Sequence, residues 1–418
     1  TPSTAFCTGE SKNFTITINP APVIQSFSET ICEGVTFTSI LPVDVENGIV
    51  PPNTTYTWEI TDNSSTAIQG ASESSSPSSS IPGSNLTLAD GTTSPQNLIY
   101  SVTPSSADNC VGDPFLVTIT VNPTAQVDEV VSQVLCNNES TDAINFSTEN
   151  SGGTTTYAWT NNNTNIGLGA SGDGNIPSFT AIAGTTSETA TIVVTPTFTN
   201  NDVQCTGPTE TFTIIVNPTA QVNEVASQVL CNTESTDAIN FSTENLDGTT
   251  TYAWTNDNTA TGLEASGNGN IPSFTATAGT SPEVSTITVT PTYTNNEISC
   301  TGPTETFTIT VNPTAQVDLP DNYEYCDGDT TDIVFTTSNG GDDSVTTYSW
   351  AVISDEDLGL PSTGDGNISE LVTNTTNDIL TATISVTPTY TNAGESCSGP
   401  SEQFTITVNP TAQVEGID

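Results

Sequence analysis

Histidine and methionine are absent from all 418 residues, and Lys12 is the one basic side chain against 48 acidic ones, a formal charge of −47. Each absence removes a class of function. Without lysine and arginine the chain cannot displace counterions from phosphate, so nucleic-acid binding is effectively excluded, and anionic membrane surfaces repel it. Without histidine, and with a single lysine, the usual general bases, catalytic triads and Schiff-base amines are missing. A carboxylate pair of the glycosidase type needs a deep cleft, and tandem copies of one small unit give no reason for one, so the chain is read as a non-enzyme. No apolar run nears the roughly 18–20 residues that cross a bilayer, so direct membrane insertion is not expected. No window carries a helical period. One basic residue also leaves trypsin-like proteases almost nothing to cut. The chain starts inside a repeat without a signal peptide, and its natural N-terminus is expected elsewhere.

What is present is a repeated phrase. Val-Asn-Pro-Thr-Ala-Gln-Val occurs word for word at 121–127, 216–222, 311–317 and 408–414, preceded by a looser copy at 18–23. So fixed a period means a tandem array. Each copy closes an alternating strand, such as Phe212 to Val216, and the Asn-Pro ends it, because proline has no N–H for the ladder and restricts the residue before it. The phrase is therefore a joint between domains. It divides the chain into the last strand of a truncated preceding repeat (1–20), four repeats (21–123, 124–218, 219–313 and 314–410) and the start of a following one (411–418).

Repeat 2 serves as the template. Strands are expected at 126–135, ending at Cys136, then at 143–148, around Tyr157-Ala158-Trp159, at 176–182, at 190–198 broken by Pro196, and at 209–216. Gly152-Gly153 makes a turn and 161–174 a polar loop. Six or seven short strands in about 95 residues, separated by turn signals, indicate an all-β fold, a tandem array of β-sandwich domains. Tyr-x-Trp recurs in every repeat, and Trp58, Trp159, Trp254 and Trp350 are expected as core plugs rather than sugar-stacking platforms.

Nine cysteines recur in phase, one early and one late in each repeat, with Cys7 left over at a late position. Such pairs argue for disulfides and an oxidising, extracellular compartment. Zinc competes poorly without histidine or a Cys-x-x-Cys. Two connectivities stay open. The expected one lies within repeats: Cys32–Cys110, Cys136–Cys205, Cys231–Cys300 and Cys326–Cys397, with Cys7 paired outside the segment. It makes each domain self-contained, although an ordinary sandwich holds these positions at opposite poles. The other crosses each joint, as Cys110 with Cys136, at a steady spacing of 25 or 26 residues.

No cofactor is expected beyond calcium. Carboxylates in Gly-rich loops suit a hard cation, and the candidates are Asp173 and Asp365 in Gly-Asp-Gly-Asn and the cluster Asp327, Asp329 and Asp332. A plain turn explains Gly-Asp-Gly-Asn equally well, and repeat 3 carries Asn268 at that place.

Together, the aromatic-x-Trp strand, the early Leu135-Cys136, the late cysteine before the last strand and the Val-Asn-Pro joint resemble the PKD-like and immunoglobulin-like repeats of very large cell-surface proteins of Bacteroidota. The likeness runs along the whole chain. One departure is Trp159-Thr-Asn-Asn, where standard PKD domains carry Trp-x-Phe-Gly-Asp. The resemblance implies export by the type IX secretion system and a place in a giant extracellular adhesin, attached to the cell surface and serving gliding motility. In that setting Thr330 and Ser344 resemble acidic-Ser/Thr-apolar sites of O-glycosylation. The expected role is a structural stalk, each domain about 40 Å long, whose partners are the adjacent repeats and, through a tip elsewhere, a surface substrate or glycan. The alternative is a multivalent array gripping glycan or calcium through the repeats themselves.

Overall fold

The computed structural model describes residues 8–38, 48–63, 66–319 and 321–413. Cys7 lies outside them. The chain divides into two compact units, residues 1–181 with 189–215, and residues 182–188 with 216–418.

In the first unit the strands are β1 (Phe27–Cys32), β2 (Thr55–Asn63), β3 (Ile68–Gln69), β4 (Ser74–Ser78), β5 (Thr87–Leu88), β6 (Gln96–Ser105), β7 (Phe115–Asn122), β8 (Gln133–Cys136), β9 (Thr154–Asn161), β10 (Ser171–Asp173), β11 (Glu188–Asn200), β12 (Val203–Thr206) and β13 (Glu210–Asn217), the two ends of β11 and β13 reaching into the second. The second unit repeats the pattern twice. First come β14 (Gln228–Cys231), β15 (Thr249–Asn256), β16 (Ser266–Asn268), β17 (Glu283–Asn295), β18 (Ile298–Thr301) and β19 (Glu305–Asn312). Then follow β20 (Tyr323–Cys326), β21 (Val345–Val352), β22 (Thr363–Asp365), β23 (Leu380–Asn392), β24 (Glu395–Ser398) and β25 (Glu402–Asn409).

Among the described residues each repeat contributes one main sheet. In repeat 1 the order is β1-β7-β6-β2-β4, and in repeats 2 to 4 it is the same with a small extra strand, as in β14-β19-β17-β15-β16 with β18 on β17. The first short strand runs parallel to the last: β1 to β7, β14 to β19 and β20 to β25, which sets Cys32, Cys231 and Cys326 beside Asn122, Asn312 and Asn409. The long strands pair antiparallel, as β6 with β7, β17 with β19 and β23 with β25.

Alternation does the folding. Along β17, Ser285, Ile287, Val289, Pro291 and Tyr293 point inward and are buried while their neighbours are half exposed, the period of a strand with one wet face. The inward face is covered by a thinner second layer. In repeat 2 this is the pairing of Ile144 with Ile176 and Ser140 with Thr180; in repeat 4 it is Ile333 with Ile368. The core between the layers in repeat 4 contains Ile333, Phe335, Trp350, Ile368, Ile384 and Phe404. The fold is thus all-β, a tandem series of immunoglobulin-like sandwiches.

Three local expectations need correction. The strands expected in repeat 2 at 126–135, 143–148 and 176–182 reduce to β8 and to single bridges, Ser140 with Thr180 and Ile144 with Ile176. Pro196 does not break its strand, for β11 runs through it. Proline is tolerated there because β9 holds β11 on one side without a break, from Ile192–Asn161 to Thr199–Thr154, while on the other side Pro196 falls just before the pairing with β12 begins at Thr197–Thr206; its carbonyl still accepts Gly207 N–H at 3.1 Å. Finally, the polar loop after β9 contains a 3₁₀ turn, Thr164–Ile166, where Asn163 caps Asn165 N–H and Gly167 closes at φ 94°. Repeat 3 does the same with Asn258 and Gly262. A three-residue turn is too short to leave a period.

Candidate functional site at the joint between repeats

The invariant phrase resolves into separate tasks. In the first unit, Val121 is the last core residue of β7 in repeat 1 and Asn122 ends the strand, fully buried. The Asn122 Nδ2 amide donates to Asn200 O at 3.1 Å, and Asn200 Nδ2 donates back to Asn122 Oδ1 at 2.9 Å, so two amides lock β7 of repeat 1 to the hairpin of repeat 2. Thr124 Oγ1 donates to Glu33 at 3.1 Å. Ala125 is buried so tightly that a Cβ on Gly207 would stand 1.8 Å from its carbonyl oxygen. Only glycine fits, which explains the recurring Gly-Pro turn. Gln126 N–H then donates to Asn150 Oδ1 at 2.7 Å.

A second contact lies away from the phrase. Ser151 N–H donates to Thr93 O at 3.0 Å, tying the turn of repeat 2 to the loop ahead of β6. Within the second unit the same two contacts recur. Asn312 Nδ2 donates to Asn392 O and Asn392 Nδ2 to Asn312 Oδ1, both at 2.9 Å, while Gly340 N–H donates to Thr280 O at 3.0 Å. Two separated points of contact resist bending where one would act as a hinge.

The cysteines sit at this joint, and their pairing differs from the expected set. Cys32 bonds to Cys205, and Cys231 to Cys397, each with Cα atoms 5.5 Å apart. The early cysteine of one repeat thus meets the late cysteine of the next. The pairs Cys32–Cys110, Cys136–Cys205, Cys231–Cys300 and Cys326–Cys397 are all overturned, as is the alternative Cys110–Cys136. Cys110 and Cys326 are free thiols, and Cys136 and Cys300 are disulfide-bonded. The reason is geometric. Parallel pairing puts Cys32 beside Asn122, the residue that enters the next repeat, and β12 brings Cys205 to the same point. The two cysteines of one repeat stay at its opposite poles, the objection that sandwich geometry raised from the start.

The other singled-out residues fall elsewhere. Trp58, Trp159, Trp254 and Trp350 are buried. Trp58 Nε1 donates to Ser72 O at 2.9 Å, whereas the indole N–H groups of the other three are buried without an acceptor. Each of those three lies over the glycine paired with it on the neighbouring strand, Gly172, Gly267 or Gly364. That accounts for Gly-Asp-Gly-Asn: the first glycine makes room for indole, the second turns at φ 69° in repeat 2, and Asn175 Oδ1 accepts Phe146 N–H at 2.9 Å. Asp173 and Asp365 are left exposed on the strand edge.

Asp329 takes the place of Glu139 and Glu234. All three carboxylates accept the amide of the early cysteine three residues before, at 2.8–2.9 Å. Asp327 accepts Asn374 N–H at 2.9 Å and the Thr411 hydroxyl at 2.7 Å, bonds that hold its carboxyl below the usual range. Asp332 is exposed. Among the described residues no three or more histidine, cysteine or carboxylate side chains gather closely enough to share a metal ion. Thr330 is exposed and Ser344 half-buried, its hydroxyl donating to Gly341 O at 2.9 Å. No described helix is long and apolar enough to cross a membrane.

Among solved structures, the extracellular cadherin domains 3–6 of protocadherin gamma B2 are similar over 93% of this chain and 99% of theirs, at 13% identity and a TM-score of 0.32. The human desmocollin-1 ectodomain is similar over 94% and 80%, at 10% identity and 0.29. Drosophila N-cadherin EC1-4 is similar over 93% and 100%, at 13% identity and 0.27. Scores this low say nothing of what the chain does. No curated protein matches. Residues 29–125 match the PKD-like domain family. The PKD-like match runs from within β1 through β7 and stops at Ala125, inside the joint.

Proposed function

We propose that the chain is a load-bearing stalk segment of a giant extracellular adhesin. The observation that carries this reading is the disulfide from Cys32 to Cys205, which spans a joint instead of closing a domain. A bond inside one sandwich stabilises that sandwich. A bond across the joint makes two sandwiches resist tension as one, and it persists in an oxidising compartment outside the cytoplasm. Pull applied beyond the two cysteines passes through sulfur, and the residues between them are shielded. The rival reading, a multivalent array gripping glycan or calcium, draws no support from Tyr-x-Trp, whose tryptophans are turned into the core.

Two experiments test the proposal. Stretching single molecules without reductant leaves the residues between Cys32 and Cys205 unable to lengthen. Reduction then releases roughly 550–620 Å per disulfide, the contour of some 170 residues. Equal lengthening with and without reductant would reject a load-bearing role. For the biological setting, antibody against the segment is applied to live, surface-attached cells. External label that travels along the cell supports attachment coupled to gliding, and external static label supports a plain adhesive stalk. Label only after lysis rejects both.

A further inference from the structure

The two free thiols differ from the other described cysteines in one respect: each faces a half-built joint. At the N-terminal side, Cys110 occupies the position that Cys205 and Cys397 hold in their repeats, and its Sγ lies 3.7 Å from the carbonyl oxygen of Asn19. Asn19 stands where Asn122 stands at the completed joint. The linker is already seated there, because a Cβ on Gly112 would be 2.1 Å from Pro22 O, the counterpart of Gly207 against Ala125. What lies before Asn19 is bare. Phe14, Ile16 and Ile18 alternate like the inward face of β7 yet are 82%, 73% and 88% exposed.

The C-terminal side shows the complementary half. Cys326 is exposed and in register with Asn409. Asn122 and Asn312 are fully buried at completed joints, but Asn409 is half exposed and donates back to Glu324 of its own repeat at 2.7 Å. Ala125 and Ala315 are fully buried, while the equivalent Ala412 is exposed.

We propose that Cys110 and Cys326 are the open ends of the same cross-joint staple, each built to bond a further repeat of this kind in the same polypeptide. Cys110 receives the early cysteine of a repeat whose last strand is residues 14–18. Cys326 receives the late cysteine of a repeat that packs on Asn409 and Ala412. The interface is continuous in design with the one closed by Cys32 and Cys205. Each bond joins two thiols with loss of two protons and two electrons, taken up by a disulfide oxidant that leaves as two thiols. The inference does not depend on the stalk reading, since a binding array could be stapled in the same way.

The test is disulfide mapping of the protein isolated from its source, digested with pepsin without reduction. The expected result is Cys110 joined to a peptide outside these 418 residues in which the cysteine ends a short strand, and Cys326 joined to one in which it precedes a Gly-Pro turn. Recovery of either as a free thiol, of Cys110 bonded to Cys7, or of Cys110 bonded to Cys326 of another copy would overturn the proposal. For the 418-residue chain alone, iodoacetamide under native conditions is expected to label both cysteines and none of the six bonded ones. Protection of Cys110 or Cys326 would show its partner to be already present, and would equally overturn it.

Discussion

Trp159 lies across Gly172 so closely that a Cβ at that position would stand 2.4 Å from the indole Cζ2. The same pairing holds Trp254 over Gly267 and Trp350 over Gly364, so the edge strand of each of these sandwiches exists as a seat for a ring.

Replacing any of these glycines by alanine forces the indole aside. Gly267→Ala is expected to destabilise by about 1–3 kcal/mol, the range for an overpacked core, and to shift tryptophan emission. Gly269→Ala, two residues on at φ 70° with nothing within 4 Å, should show backbone strain alone, roughly 1 kcal/mol, without a spectral change. Thermal melts followed by fluorescence separate the two.

Removing a staple should loosen two repeats together. The double variant Cys32→Ser with Cys205→Ser avoids a stray thiol. Closing a loop of this length is worth about 5 kcal/mol in the chain-entropy account. Calorimetry is expected to show repeats 1 and 2 melting earlier and no longer as one. An unchanged melt would mean that the folded joint needs no covalent support.

The buried amides at the joint should be coupled. Asn122→Ala leaves Asn200 facing a lost partner, an expected loss of about 1–3 kcal/mol. Because the two amides bond to each other, Asn122→Ala and Asn200→Ala together should cost less than the sum of the singles. A double-mutant cycle measures the difference. Strict additivity would show that the exchanged bonds contribute nothing.

Stability should fall at both ends of the pH scale for different groups. Burial raises the phenols of Tyr56, Tyr100, Tyr157, Tyr252 and Tyr348 above their ordinary 10.0. The folded state therefore holds those protons more tightly than the unfolded one. Their contribution is complete below pH 10.0 and is lost as pH rises through the raised values. Asp327 is the opposite case. Its lowered carboxyl favours the folded state above 3.8 and loses that effect as pH falls through the depressed value. Absorbance at the phenolate band should place the ionisation of those tyrosines above that of a free phenol, and circular dichroism should show the sheet losing stability over the same range.

Much of this architecture was legible from period alone. The Asn-Pro joint, the inward Tyr-x-Trp and the alternating last strand are local patterns, and local patterns survive in a sequence read by eye. The second layer was legible in place but not in kind: the alternation at 143–148 and 176–182 suggests full strands, whereas Ile144 and Ile176 pair there only as single residues. Pro196 misled for a related reason: its place in the ladder depends on which neighbour the strand has at that point. The disulfides lay furthest out of reach. In-phase spacing cannot tell bonding within a repeat from bonding to the next, since both give the same period. Only the parallel register that sets Cys32 beside Asn122 decides it, and register is a property of two strands at once.

The offset of the cysteines also orders the maturation of the chain. Cys32 must wait for Cys205, 173 residues later. That interval ends only when repeat 2 has folded against repeat 1. Throughout it a sandwich that has already folded carries an unspent thiol, with the late cysteine of its own repeat held at the far pole. Covalent completion therefore trails folding by one repeat, and each domain is finished only when its successor arrives.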